Sequence, residues 1–286
     1  MTTSLMTRLR IAVFIVAASV ALSPHPARSN DVFRWKDDQG RIHYSDHGPE
    51  GAEPTKLKVA TAPAVHTVKA VFDGDTILLD NGERVRLLGI NTPEADGPNK
   101  KGEPGGNEAK HWLRRRLMGR VVRLEQDKEP RDHYQRLLAH VFADNGEHIN
   151  LTLVESGLAF LNLHPPNLKH AQVLIQAQNR AEQAKRGIWG MPDYQPRPVE
   201  TLNVRPVLRG WQRLMGSPFA IVEKNRYLSL RFSDRFEVRV AKENLKLFPS
   251  LETYLHRRVE ARGWLSQRRG RYSIFVRHPS ALIVQK

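Results

Sequence analysis

Three short segments set oxygen donors beside arginines: "DGDT" at residues 73–76, "RLLGINTPE" at 86–94 and "DHYQR" at 132–136. Asp73, Asp75, Asn91, Thr92 and Glu94 all offer oxygen, the donor that a hard cation such as calcium accepts. Arg86 and Arg136 are planar forks that grip phosphate oxygens in pairs and keep their charge at any working pH. Phosphodiester hydrolysis needs this mixture. Its transition state loads extra negative charge onto five-coordinate phosphorus, so cations must surround it, and a carboxylate must orient or deprotonate water opposite the leaving oxygen. "DGDT" alone is most often a turn and "NTPE" alone an ordinary strand exit; their combination with two arginines carries the reading.

A fold must bring these groups together. Arg86, Leu88 and Ile90 share one face of a period-2 strand, which sets an arginine among apolar side chains and demands an anionic partner. If residues 86–94 stayed extended, Arg86 and Glu94 would lie about 26 Å apart at roughly 3.3 Å per residue. The chain must therefore turn. Asn91-Thr92-Pro93 is the expected place, since proline fixes its own φ and biases Thr92 away from helix.

The surrounding pattern supplies the frame. "TVKAVF", "TILL" and "RVRLLGI" read as a three-stranded meander, the last two joined by the hairpin signal Asp80-Asn81-Gly82-Glu83. "NEAKHWLRRRLMG" predicts a helix with Asn107 as N-cap, Ala109, Trp112, Leu113 and Leu117 on one face and Gly119 as stop. Its Arg114-Arg115-Arg116 run suits a solvated face. "VVRLEQ" and "LLAHVFA" add two strands, with a tight turn at Asp144-Asn145-Gly146, and helices follow near 150–157 and 168–186. Five short strands without βαβ alternation predict a mainly β, α+β domain built as a small closed barrel with packed helices.

In this order, over roughly residues 66–190, "DGDT", "VRLLGI-x-TPE", "NEAK", "D-x-Y-x-R-LLAHVFA" and "LVESGLA" resemble the staphylococcal-nuclease-like (thermonuclease) family. The resemblance implies an OB-fold barrel that cleaves DNA and RNA with calcium and leaves 3′-phosphates. It implies that Asp75 and Asn91 bind the metal with the Thr92 carbonyl, with Asp73 supporting them. Glu94 would be the general base or water-orienting group, Arg86 and Arg136 would clamp the scissile phosphate, and Tyr134 would contact a terminal phosphate. Three positions depart from the pattern. Asn91 stands where the best-known members have aspartate, so weaker metal binding and an altered metal preference are expected; Gln135 replaces the glycine of D-x-Y-G-R; and "FLNLHPPN" at 160–167 lacks tyrosines of the family's nucleotide pocket.

At 286 residues, with 45 Lys and Arg against 30 Asp and Glu, the chain is a basic protein of about two domains. Its +15 charge attracts polyanions, without distinguishing nucleic acid from acidic lipid or polysaccharide. Residues 1–29 read as a signal peptide: Arg8 and Arg10, an apolar run from Ile11 to Leu22, then Ala27-Arg28-Ser29. The run is short for an uncleaved anchor. An exported protein, periplasmic or secreted, is expected, with no stable membrane insertion after cleavage. The absence of cysteine excludes disulfides and thiolate metal sites. The 12 histidines show no metal-ligand spacing.

Residues 30–50 read as a small β-hairpin module around Asp38-Gln39-Gly40 and resemble a W-x-D-x-x-G-x-x-x-Y-S-D unit found after export signals in Gram-negative proteins. Residues 51–65 suit a linker, the Pro-rich stretch 191–200 a domain boundary, and 201–286 a second β-rich, OB-like domain. The latter's basic and aromatic residues would suit single-strand binding, with Arg262, Trp264, Arg271 and Tyr272 as candidate contacts, although a core tryptophan looks the same in sequence. The leading reading is an exported metal-dependent endonuclease of limited sequence preference; a nucleic-acid-binding module that does not cut is the alternative, and a cell-envelope interaction protein a third. The loop 95–106 fits either a substrate cover or a connector.

Overall fold

Apolar residues alternating through Val65–Leu87 close one wall of a barrel. In the computed structural model, which describes residues 31–45, 49, 53–56, 65–204 and 208–285, the chain divides into two compact units, residues 1–61 and 62–286.

In the first unit, β1 (Asp31–Lys36) pairs antiparallel with β2 (Ile42–Ser45) as the hairpin pattern predicts, Asp37 accepting the N–H groups of Gln39 and Arg41 at the turn. The expected linker 51–65 contains a third strand, β3 (Glu53–Lys56), on the other side of β1. Proline had argued against a strand there. Pro54 is tolerated because β3 is an edge, where a missing N–H need leave no ladder bond unmade. The signal segment 1–29 lies outside the described residues.

In the second unit, β4 (Val65–Asp73), β5 (Thr76–Leu79), β6 (Arg84–Leu87), β8 (Val121–Glu125) and β9 (Leu137–Ala143) form a closed barrel in the order β4-β5-β6-β9-β8. Gly82, at φ 84°, makes the β5–β6 turn, as Asn-Gly predicts. Val68, Ile77, Leu79, Val85, Leu87, Val122 and Val141 fill the barrel and pack on the buried faces of α1 (Gly106–Leu117) and α2 (Ile149–Glu155). The short strands β7 (Ile90–Asn91) and β10 (Phe160–Leu161) pair outside the barrel, and α3 (Ala171–Gln183) follows.

The N-cap of α1 is Gly105, in left-handed conformation, and not Asn107. Asn107 instead donates to Asp96 Oδ2 at 2.6 Å and accepts from the Asp96 N–H at 3.1 Å, fastening the 95–106 loop to the helix.

The expected boundary 191–200 is packed structure. Tyr194 is buried and donates its hydroxyl to the Pro104 carbonyl at 2.7 Å, while β11 (Arg197–Pro198) runs beside β12 (Trp211–Gly216), with α4 (Thr201–Val204) between them in sequence. Proline here shapes an edge strand. The remaining strands are β13 (Ala220–Glu223), β14 (Tyr227–Arg231), β15 (Phe236–Ala241), β16 (Val259–Arg268), β17 (Arg271–Val276) and β18 (Leu282–Val284). They form a sheet ordered β11-β12-β16-β17-β15-β14-β13, with β18 on β16, around a core of its own. This sheet is joined to the barrel by an aromatic cluster in which the Phe160 ring stacks on Trp211 with centroids 3.9 Å apart. No described helix is long and apolar enough to cross a membrane.

Candidate active site

Thr76 pairs with Arg86 across β5–β6, and Arg86 with Leu138 across β6–β9, so Asp75 at the end of one turn and Arg136 just before β9 flank the same arginine. An open groove of about 690 Å³ results, lined by Asp73, Asp75, Arg86, Asn91, Glu94 and Arg136 among others. Six of the eight residues expected in the barrel site therefore meet in one place. Thr92 lies buried behind it, and Tyr134 stands 70% exposed next to Arg136, whose guanidinium sits 5.4 Å from the ring centre.

A turn that brings Asn91 back to Arg86 precedes the one expected at Asn91-Thr92-Pro93 for Glu94. It falls at Leu88-Gly89, where Gly89 takes φ 75°, and β7 then runs through Asn91. A side chain at Gly89 would also meet Leu174 at 2.8 Å, so glycine serves both conformation and packing. Leu88 and Ile90 consequently do not continue the Arg86 strand face. Asn150 locks this turn: its amide donates to the Leu88 carbonyl at 2.9 Å and its oxygen accepts from Val141 N–H at 2.9 Å.

Arg86 is the hub. Nη1 donates to the carbonyls of Leu87 and Ile90 at 2.8 and 2.9 Å, and Nη2 donates to Asn91 Oδ1 at 2.6 Å and faces Asp75 Oδ2 at 3.0 Å. Its expected anionic partner is thus Asp75. Asp75 also accepts from Thr92 N–H and from the Thr76 hydroxyl, each at 3.0 Å. Asn91 Nδ2 donates to the Thr92 carbonyl at 2.6 Å.

Glu94 is held by its backbone. Its N–H donates to Glu103 Oε2 at 3.1 Å and its carbonyl accepts from Glu103 N–H at 2.8 Å, while its side chain reaches Lys100 at 3.3 Å and stays partly exposed. Helix α1 approaches this backbone so closely that a Cβ on Gly106 would lie 2.0 Å from the Glu94 oxygen. Burial, then the negative charge of Asp75, raise the pKa of Asp73; the Gly74 N–H opposes them and Glu94 adds to them.

Arg136 is gripped by Asp132, Nε to Oδ2 at 2.8 Å and Nη2 to Oδ2 at 2.7 Å. Burial would raise Asp132, but these bonds outweigh it and lower its pKa. Gln135 adopts φ 63°, the left-handed geometry that favours glycine, so the turn keeps its shape at the cost of backbone strain.

The donors suit a hard cation. Asp75 Oδ2 and Asn91 Oδ1 converge on one guanidinium nitrogen, the Thr92 carbonyl adjoins Asn91, and Thr92 Oγ1 is buried without a partner. The expected ligands supply one carboxylate, Asp75, with neutral oxygens from Asn91 and Thr92.

Two of the C-terminal candidates are not surface contacts. Arg262 is buried, donating to both Glu182 oxygens at 2.9 Å and to Glu260 Oε1 at 2.7 Å, where Arg213 shares the same acids. Strand alternation turned this arginine toward α3, and two carboxylates satisfy it. Tyr272 is 1% exposed, in the core beneath β15 and β17. Trp264 remains 38% exposed, and Arg271 is exposed beside the Arg269-Gly270 hairpin tip. The sequence reading had missed Asn150, Asp132, Arg131, Asn162 and His164; all but Asn150 line the groove. Only Asp132 carried a signal, its place in "DHYQR".

Residues 84–191 match the family described as Staphylococcal nuclease homologue, and residues 18–67 match a domain of unknown function, DUF4124. Over 127 residues the chain is 42% identical to the thermonuclease of Staphylococcus intermedius and 39% identical to that of Staphylococcus hyicus, each alignment covering 43% of this chain and 75% of the relative. It is 35% identical over 133 residues to the endonuclease YncB of Bacillus subtilis, covering 45% of this chain and 63% of that protein. The family match spans the barrel strands β6, β8 and β9 and the groove residues from Arg86 to Arg136, and with three quarters of each thermonuclease covered, the chain belongs to the staphylococcal nuclease homologue family.

Proposed function

We propose that this protein is an exported, metal-dependent nuclease that hydrolyses phosphodiester bonds of DNA, RNA or both with limited sequence preference, leaving 3′-phosphates. The observation that carries this reading is the gathering of Asp75, Arg86, Asn91, Glu94 and Arg136 in one open groove. The relatives named as a thermonuclease and an endonuclease support it.

Asp75, Asn91 and the Thr92 carbonyl would hold the cation, calcium being the first choice and another divalent ion the second because Asn91 is uncharged. When bound, such an ion supplies positive charge to the phosphate oxygens. Arg86 and Arg136 bind the phosphate and offset charge as phosphorus becomes five-coordinate. Phosphate oxygens compete for the N–H groups that Arg86 now directs at Asp75 and Asn91. Asp132 keeps the Arg136 fork aimed into the groove. Glu94 orients water and takes its proton as the new P–O bond forms and the bond to the 5′ oxygen breaks. Asp73 adds negative charge behind Asp75, and Tyr134 offers its hydroxyl to a terminal phosphate at the rim. Export is proposed from residues 1–29. Loss of cutting with retained binding in Glu94→Gln tests the assignment.

A further inference from the structure

Phe160 pairs with Asn91 across β7–β10 and stacks on Trp211, which anchors the C-terminal sheet directly beside the groove. Next to this anchor is a second pocket of about 220 Å³. Asn162 lines both pockets, so the two share a wall. Trp264, Phe275 and Arg277 complete the second one from β16 and the end of β17.

Three features of this pocket point to an anionic, flat ligand. Trp264 and Phe275 keep 38% and 40% of their surface exposed, while the alternating residues Tyr272, Ile274 and Val276 take the core side. Arg277 is half-buried and lies 4.9 Å from the Phe275 ring centre, yet among the described residues no carboxylate pairs with it. Its neighbour Arg262 in the same pocket is neutralised by Glu182 and Glu260. A guanidinium partly withdrawn from water without an acid is costly, and burial pushes its pKa below the usual arginine range. A phosphate would relieve that cost. His164, which lines the groove, lies within reach of both arginines: the packing around its ring, then the charges of Arg277 and Arg86, bring its pKa down to about 4.

We propose that this pocket is a second nucleotide site, which takes a nucleotide of the same strand beyond the scissile linkage, its phosphate on Arg277 and its base against Trp264 or Phe275. The proposal rests on the nuclease reading for the direction of the strand. A pocket of about 220 Å³ suits a single base, so a single strand is the ligand to test.

The test compares binding of a dinucleotide and a single-stranded oligonucleotide of about eight residues to the full chain by fluorescence anisotropy with chelator present, so that nothing is cut. Wild type, Arg277→Gln and Trp264→Ala are compared, with thermal melts checking that each folds. The wild-type preference for the longer strand is expected to fall about tenfold in either variant, and the Arg277→Gln salt slope to drop by about one. Wild-type affinity for the longer strand in Arg277→Gln, or equal loss at both lengths, overturns the proposal. Because binding is read without metal, a chain that keeps the Arg277-dependent length effect yet cuts nothing with any divalent ion would refute the nuclease reading alone.

Discussion

Arg86 and Asn91 meet through one hydrogen bond of 2.6 Å, and that contact occupies the oxygen that the proposed cation would need. The carboxamide at 91 spends its oxygen on the guanidinium and its N–H on the Thr92 carbonyl. An aspartate could do only the first.

Asn91→Asp should therefore free the Thr92 carbonyl and add a charge. Calcium affinity is expected to rise about tenfold or more, on the scale that ligand charge sets affinity in oxygen sites. Calorimetry checks it; unchanged affinity would remove position 91 from the ligand set.

Arg86→Lys keeps the charge and loses the fork. A lysine cannot serve two carbonyls, Asn91 and Asp75 at once, so both stability and turnover should fall, stability by about 1–3 kcal/mol. Urea melts and steady-state kinetics measure the two losses. Near-normal values of both would show that the hub is dispensable.

Gly106→Ala drives a methyl group to 2.0 Å from the Glu94 carbonyl, and backbone must move to admit it. A loss of about 1–3 kcal/mol is expected, with a lower turnover from a displaced Glu94. If the variant melts and cuts like the wild type, α1 does not set the position of Glu94.

Acid should destabilise the barrel through its histidines. Burial, then the charges of His170 and His148, lower His140 to about 3; burial, then His170, lower His148 to about 4. Both are depressed below 6.5, so the unfolded chain takes up protons first as pH falls, and stability present above 6.5 is lost from about 6.5 down to about 4 for His148 and about 3 for His140. The slope is up to about 1.4 kcal/mol per pH unit for each histidine. Glu125 acts in the same direction at lower pH: burial opposes its charge, but His170 and Lys169 outweigh it and bring it to about 2. Denaturant melts across that range should show the decline, less steep in His140→Asn; a rise in stability toward pH 5 would mean the histidines fold charged.

Much of the barrel was legible because its signals are local. Asn81-Gly82 specified a hairpin, and alternation specified the strands on either side. The groove residues were legible as types, since oxygen donors and forks in one order have few other uses. What stayed hidden depended on distant partners. Nothing in "RVEARGW" says that Glu182, some 80 residues away, waits for Arg262. Asn107 had an N-cap's chemistry and Asp96 took it instead. Pro54 and the prolines of 191–200 were read as breaks because a sequence does not say which strands will be edges. The turn at Leu88-Gly89 was obscured by apolar neighbours that looked like continued strand.

The most direct measurement is digestion of single- and double-stranded DNA by the protein lacking residues 1–29, with calcium, with other divalent ions and with chelator, alongside Glu94→Gln. Metal-dependent cutting should appear in the wild type and fall about 10²- to 10⁴-fold in the mutant, with DNA affinity nearly unchanged. Tight binding without cutting under every metal, or a mutant that cuts as well as the wild type, would contradict a nuclease that works through Glu94.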